Sequence, residues 1–134
     1  MSRSLQSGQG LSLKLQGGSM SKPDCSRVIR LAEAQGSIPG PAGEHAVVVF
    51  RRGPLDVALS LPLRPSQQTP HLQDEIYFIV RGQGVLCHDG KRDRFESGDL
   101  LFVAAGIEHQ LEEISENFVM WRVFYGPHGG EVSA

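Results

Sequence analysis

Two histidines and a glutamate stand at spacings that could bring them to one ion. The segment PHLQDEIYFIVRGQG, residues 70–84, carries His71 and, four residues on, Glu75, and the segment GDLLFVAAGIEHQ, residues 98–110, carries His109. Two imidazoles and a carboxylate converging inside a small barrel make a facial site for a divalent transition metal such as iron, manganese, nickel or zinc, with positions left open for a ligand. Side chains alternate along an extended chain, so His71, Gln73, Glu75, Tyr77 and Ile79 share one face, and Asp74, Ile76, Phe78 and Val80 the other. Tyr77 therefore stands in register with Glu75, where its phenol serves either as a proton donor to substrate or as a hydrogen-bonded core group. A second reading of His71, Glu75 and His109 needs no ion: the three hydrogen-bond one another inside the barrel.

The elements that must position these residues are short strands. Apolar runs over 28–31, 46–51, 56–61, 75–80, 84–88, 99–103, 108–112 and 118–125 are separated by Gly and Pro punctuation. That spacing predicts an all-β sandwich or barrel, with 31–35 the one helical stretch, stopped by Gly36. His88, Asp89, Gly90 and Lys91 form the clearest hairpin signal, because Asp-Gly suits a turn that needs two positive φ angles. The run 118–125 is apolar on both faces, Phe118, Met120, Arg122 and Phe124 against Val119, Trp121, Val123 and Tyr125. If the first face lines the cavity, Arg122 brings a fixed positive charge that suits an anionic substrate; if the second does, the pocket is aromatic and neutral.

The chain has 134 residues, 40% hydrophobic and 21% charged, with a formal net charge of −2. This fits a single domain over 23–134, behind a Ser/Gly/Gln-rich flexible tail over 1–22. No clustered positive surface is available for nucleic acid, since Arg51-Arg52 is short and Arg92-Asp93-Arg94 is internally neutralised at a strand end or turn. Cys25 and Cys87 match no disulfide framework or zinc spacing, and no run approaches a secretory signal or a membrane span. The expectation is a soluble cytoplasmic protein with reduced thiols, Cys87 acting as a small buried hydrophobe. Gln73 is expected at the rim, and His45, His88 and His128 in solvent.

The two histidine segments resemble the paired motifs of the cupin superfamily, small double-stranded β-helix or jelly-roll barrels. The first motif runs glycine, five residues, His-x-His, three or four residues, glutamate, six residues, glycine; His71, Glu75 and Gly82 fit its latter part. The second runs glycine, five residues, Pro-x-Gly, two residues, histidine, three residues, asparagine; Gly98, Gly106 and His109 fit. Thr69 stands at the first histidine, Ala104 at the proline and Glu113 at the asparagine, and the leading glycine of the first motif is absent. The resemblance implies a cupin barrel with His71, Glu75 and His109 as metal ligands, a homodimer as the common assembly, and 28–31 as a strand to exchange or pair at an edge.

Two classes of function follow. One is a metal-dependent enzyme acting on a small organic molecule, dioxygenase-like or a metal-assisted isomerase or lyase, with Tyr77 and Arg122 orienting the substrate. The other is a barrel that holds a small ligand without chemistry, as a binding or sensor module. A metal-free epimerase-like variant, with His71 as base and Tyr77 as acid, uses the same residues.

Overall fold

Alternation along the strands resolves into two antiparallel sheets whose inner faces close on each other. The computed structural model describes residues 26–62, 66–68 and 70–132, with the backbone alone for 66–68. The expected tail over 1–22, Cys25 and Thr69 lie outside the described residues. The elements are α1 (Leu31–Gln35), β1 (Ala46–Arg52), β2 (Leu55–Ser60), β3 (Ser66–Gln68), β4 (Asp74–Arg81), β5 (Gln83–His88), β6 (Lys91–Glu96), β7 (Leu100–Val103), β8 (His109–Glu112) and β9 (Val119–Tyr125). One sheet has the order β1-β2-β9-β4-β7, the other β3-β8-β5-β6. This is a jelly-roll barrel: all-β, as the strand spacing predicts, and of the form that the resemblance implies.

The register decides which side chains enter the barrel. Tyr77 lies opposite both Leu101 and Arg122, Glu75 opposite Val103 and Phe124, and Ala58 opposite Arg122. Directly opposed residues share a face. The inner core holds Tyr77, Ile79, Leu86, Phe95, Leu101, Val103, Leu111, Phe118 and Met120. The first face of the β9 run, with Arg122, therefore lines the interior. Its other face, with Val119 and Trp121, packs with Leu59, Val47 and Val49 under Leu31 and Ala34 of α1.

Two turns show why glycine stands at particular positions. Gly82 has φ +93°, and a Cβ there would lie 2.9 Å from the Phe118 backbone, so the β4–β5 turn admits no side chain. The Asp89-Gly90 turn has φ of 49° and 77° and pairs His88 with Lys91, the predicted hairpin.

Three expectations change. Residues 26–30 form no strand, and Leu31 begins α1 instead, because helical spacing brings Leu31 and Ala34 onto the apolar outer face around Leu59. Residues 28–31 are thus no edge strand to exchange; Val28 is exposed, and Arg27 ties the segment down through a 2.9 Å hydrogen bond to the Val49 carbonyl. Arg92, Asp93 and Arg94 lie within a strand, β6, not at a strand end or turn. Its sequence, KRDRFE, escapes an apolar pattern because Phe95 alone of the six is buried.

Candidate functional site

Where β4 begins, alternation sends two neighbouring acids in opposite directions. Asp74 faces away from the barrel interior and its two oxygens accept the Ala105 and Glu131 backbone N–H groups, each at 3.0 Å. Glu75 points inward and is 1% exposed. It meets His109, which opens β8 on the opposite sheet: Glu75 Oε1 is 3.2 Å from His109 Nε2. That is ion-pair distance, and neither Glu75 oxygen has an assigned hydrogen bond among the described residues.

His109 is oriented by its other nitrogen. Nδ1 lies 3.0 Å from the Ile107 carbonyl, which only accepts, so Nδ1 carries a proton. In the neutral ring Nε2 is then the acceptor, and the Tyr77 hydroxyl, 3.0 Å away, donates to it. Burial opposes the charged form of His109, but Glu75 and the Ile107 carbonyl outweigh it and leave its pKa above the ordinary histidine value. Burial, reinforced by Glu75, pushes the Tyr77 phenol far up, so it remains a protonated donor at any physiological pH.

His71 sits in the bend before β4. Its carbonyl accepts the Gly106 N–H at 2.8 Å, which ties it to the turn leading into β8. The ring packs on Phe124, centroids 4.3 Å apart, and lies 6.2 Å from the His109 ring. Burial lowers its pKa, and the pull of Glu75 in the other direction does not compensate. Among the described residues no three His, Cys, Asp or Glu side chains stand close enough together to hold an ion as they are. Glu75 and His109 meet; His71 is their near neighbour, held off on Phe124.

The opposite shifts of the two histidines have a measurable consequence. In chelator-treated protein, NMR titration of the ring protons should place the His109 midpoint above 6.5 and that of His71 below it. The stability that His109 contributes is full below 6.5 and is lost as pH rises through its folded pKa. The His71 contribution runs the other way, present above 6.5 and lost as pH falls through its lowered folded value, so the two together give a stability that is greatest near pH 6.5 and declines on either side. Two midpoints on the same side of 6.5 would contradict this arrangement.

Arg122 extends the site. Its guanidinium lies over the Phe124 ring at 4.8 Å, and Nη2 is 4.0 Å from Asp56 Oδ1, too far for a hydrogen bond. Among the described residues Arg122 Nε and Asp56 Oδ1 are both buried without a hydrogen bond, while Asp56 Oδ2 accepts from Arg51 at 2.8 Å. Asp56 escaped the sequence reading, although an acid alternating with Ala58 and Ser60 on one face of an apolar strand was the visible signal.

Several other residues fall into place. Gln73 is half-buried and structural, donating to the Pro54 and Gly126 carbonyls at 2.6 and 3.0 Å. Cys87 is only partly buried and accepts an Arg92 N–H at 3.2 Å. His45 and His128 are exposed, as expected, but His88 is not a solvent residue: its side chain is 25% exposed and it pairs with Asp93.

Comparison with known proteins agrees with the barrel. Residues 63–125 match the family model described as the cupin domain. An uncharacterized protein of Streptomyces coelicolor is 35% identical over 60 residues, a stretch that is 45% of this chain and 57% of that protein. The chain thus spans little more than half the length of that relative. Among solved structures, a cupin superfamily protein from Desulfitobacterium hafniense aligns with TM-score 0.53 at 16% identity, over 61% of this chain and 76% of that one. A protein from Neisseria meningitidis aligns with TM-score 0.61 at 18% identity, over 75% of this chain and 100% of that one. The iron(II) form of HppE in complex with substrate aligns with TM-score 0.53 at 14% identity, over 60% and 52%. At these identities the solved structures speak for the fold alone. Residues 63–125 thus carry a cupin domain, and the two-sheet barrel with its glycines at 82, 98 and 106 has the cupin fold.

Proposed function

We propose that this chain holds a divalent transition metal on His71, Glu75 and His109 and binds a small organic acid beside it, with Tyr77 and Arg122 meeting the ligand. The observation that carries the reading is Glu75: a carboxylate 1% exposed, with neither oxygen hydrogen-bonded among the described residues, beside an imidazole nitrogen and a phenol. A buried carboxylate left in that state is costly, and a cation is the partner that relieves it. The donor set of two imidazoles and one carboxylate suits iron, manganese, nickel or zinc. The bound ion would supply Lewis acidity toward a ligand oxygen, which fits dioxygenase-like chemistry or metal-assisted isomerase and lyase chemistry.

The chain's own residues do the rest. Tyr77 keeps its proton and can donate one hydrogen bond to a ligand oxygen. Arg122 offers Nε and a guanidinium face to a carboxylate, with Phe124 as a flat wall beneath it. The apolar interior behind Tyr77, Leu101 and Met120 excludes water from the same space. That a barrel of this shape, the iron(II) form of HppE, has been solved with its substrate supports the small-molecule reading.

One observation favours a second reading, a metal-free binding barrel or an epimerase-like one with His71 as base and Tyr77 as acid. His71 stands apart on Phe124 with a lowered pKa, as a neutral base would. Elemental analysis of protein purified without chelator separates the two. Close to one equivalent of transition metal supports the first; none supports the second.

The homodimer belongs to the outer face of the β4–β7 edge. Phe78, Leu100 and Phe102 point away from the barrel and are 45%, 53% and 50% exposed, a contiguous apolar strip along β7, an edge strand among the described residues, and its neighbour β4. A second copy, presenting the same strip, is the occupant this proposal names. Light scattering at micromolar concentration should give twice the chain mass; a monomer mass removes this assignment.

A further inference from the structure

Two groups of opposite charge stand beside the site with hydrogen-bonding capacity to spare. Asp56 on β2 lies opposite Phe124, and Ala58 opposite Arg122, so Asp56, Arg122 and Phe124 share the inner face of one sheet. Arg51 takes only one Asp56 oxygen, Oδ2 at 2.8 Å; Oδ1 is buried and accepts nothing among the described residues. Arg122 is its counterpart. The two side chains are 23% and 22% exposed, and no Arg122 N–H donates a hydrogen bond among the described residues. Arg122 Nη2 and Asp56 Oδ1 are 4.0 Å apart, so one small ligand spans the unused donors and the unused acceptor. The pair also borders the proposed metal position. The Phe124 ring lies 4.8 Å from the Arg122 guanidinium and 4.3 Å from the His71 ring, and the charge of Arg122 is felt at both His71 and Tyr77.

Each half of the pair asks for a different group. A guanidinium only donates and matches a carboxylate; a carboxylate only accepts and matches a charged donor. A plain acid on Arg122 would lay its own negative charge beside Asp56 Oδ1 and leave that oxygen's lone pairs unfilled. An ammonium on the carbon that bears the carboxylate answers both needs, because it is a cation and a donor. We propose that the ligand is an α-amino acid, its carboxylate on Arg122 and its ammonium donating to Asp56 Oδ1. The short gap between the two protein groups sets the amine and the carboxylate on one carbon. The zwitterion adds no net charge to a pair that is already balanced. The inference rests on the organic-acid reading above and adds the second polar group, with Asp56 as the residue that selects for it.

The test titrates L-alanine, L-leucine and L-phenylalanine into the full chain by NMR, each against the acid that lacks its amine: propionate, 4-methylpentanoate and 3-phenylpropionate. At least one amino acid should bind about tenfold more tightly than its amine-free acid, since a site built to take a polar group discriminates against the analogue lacking it. N-acetylation of that amino acid keeps the carboxylate and removes the ammonium, and should return the affinity to that of the amine-free acid. In Asp56→Asn the preference should fall to within about twofold. In Arg51→Gln, which takes away only the exposed partner of Asp56, it should persist. Arg122→Met should lose the amino acid and the amine-free acid alike. Equal affinity within every pair, or a preference that survives N-acetylation or Asp56→Asn, overturns the inference. If the amine-free acids then still bind and are lost in Arg122→Met, the organic-acid reading survives without it. If none of the compounds binds, or Arg122→Met changes nothing, that reading fails and the amino-acid inference falls with it.

Discussion

With the proposed metal on His71, Glu75 and His109, a His109→Ala chain is expected to bind it at least about 100-fold more weakly, more than an outer-sphere partner would cost. His109 is the imidazole in direct contact with Glu75, and its ring is held by the Ile107 carbonyl at 3.0 Å, so it presents Nε2 without rearrangement. Removing it takes away one ligand and the group that orients the other. Glu75→Gln should do nearly as much, because the neutral amide keeps the shape and loses the charge. His71→Ala should cost less, about 10-fold to 100-fold, since His71 must leave its packing on Phe124 to join the ion. Tyr77→Phe keeps the ring volume and should leave metal content unchanged, which separates a ligand-facing phenol from a metal ligand. Elemental analysis of the five proteins after identical purification reads all of this. Native protein without metal, or metal retained in His109→Ala, would sink the metal reading and leave the binding barrel.

Asp74→Ala is expected to destabilise the fold by about 3 kcal/mol, because two hydrogen bonds to a charged acceptor are lost together. Asp74 is 5% exposed, and its oxygens hold the N–H groups of Ala105 and Glu131, the first in the turn before β8 and the second in the C-terminal segment. Those segments are also tied to the bend before β4: the Gly106 N–H reaches the His71 carbonyl at 2.8 Å and the Gly129 N–H the Leu72 carbonyl at 2.6 Å. Asp74 is therefore the buried acid that gathers three loops at the mouth. For a chain of this size the loss should lower the melting temperature by about 10 °C. Asp74→Asn, which retains one acceptor oxygen, should cost about half as much. Amide exchange should quicken at Ala105 and Glu131 before it does in β4 or β9. A melting temperature unchanged in Asp74→Ala would show that these contacts carry no stability.

Much of this was legible locally. The strand runs, the Asp-Gly hairpin and the glycines at 82, 98 and 106 depend on backbone conformation and on alternation over a few residues, and those are properties of the chain itself. The spacing of His71, Glu75 and His109 pointed to one site, and Glu75 and His109 do meet across the two sheets. Where local patterns were weak, the reading went astray: β6 is charged along most of its length, and 28–31 has the composition of a strand but ends in a helix that covers the outer face. Alternation divides a strand into two faces without saying which is inside. That is settled by the partner strands and by the sheet packed opposite, and only they turn Arg122 and Asp56 inward and bring His88 beside His109. The sequence by itself thus determined the barrel and the inventory of chemical groups, because both follow from short-range geometry. Tertiary structure alone decided which of those groups share a cavity, because residues as distant as Asp56 and Arg122, or Glu75 and His109, are neighbours only once the sheets have closed.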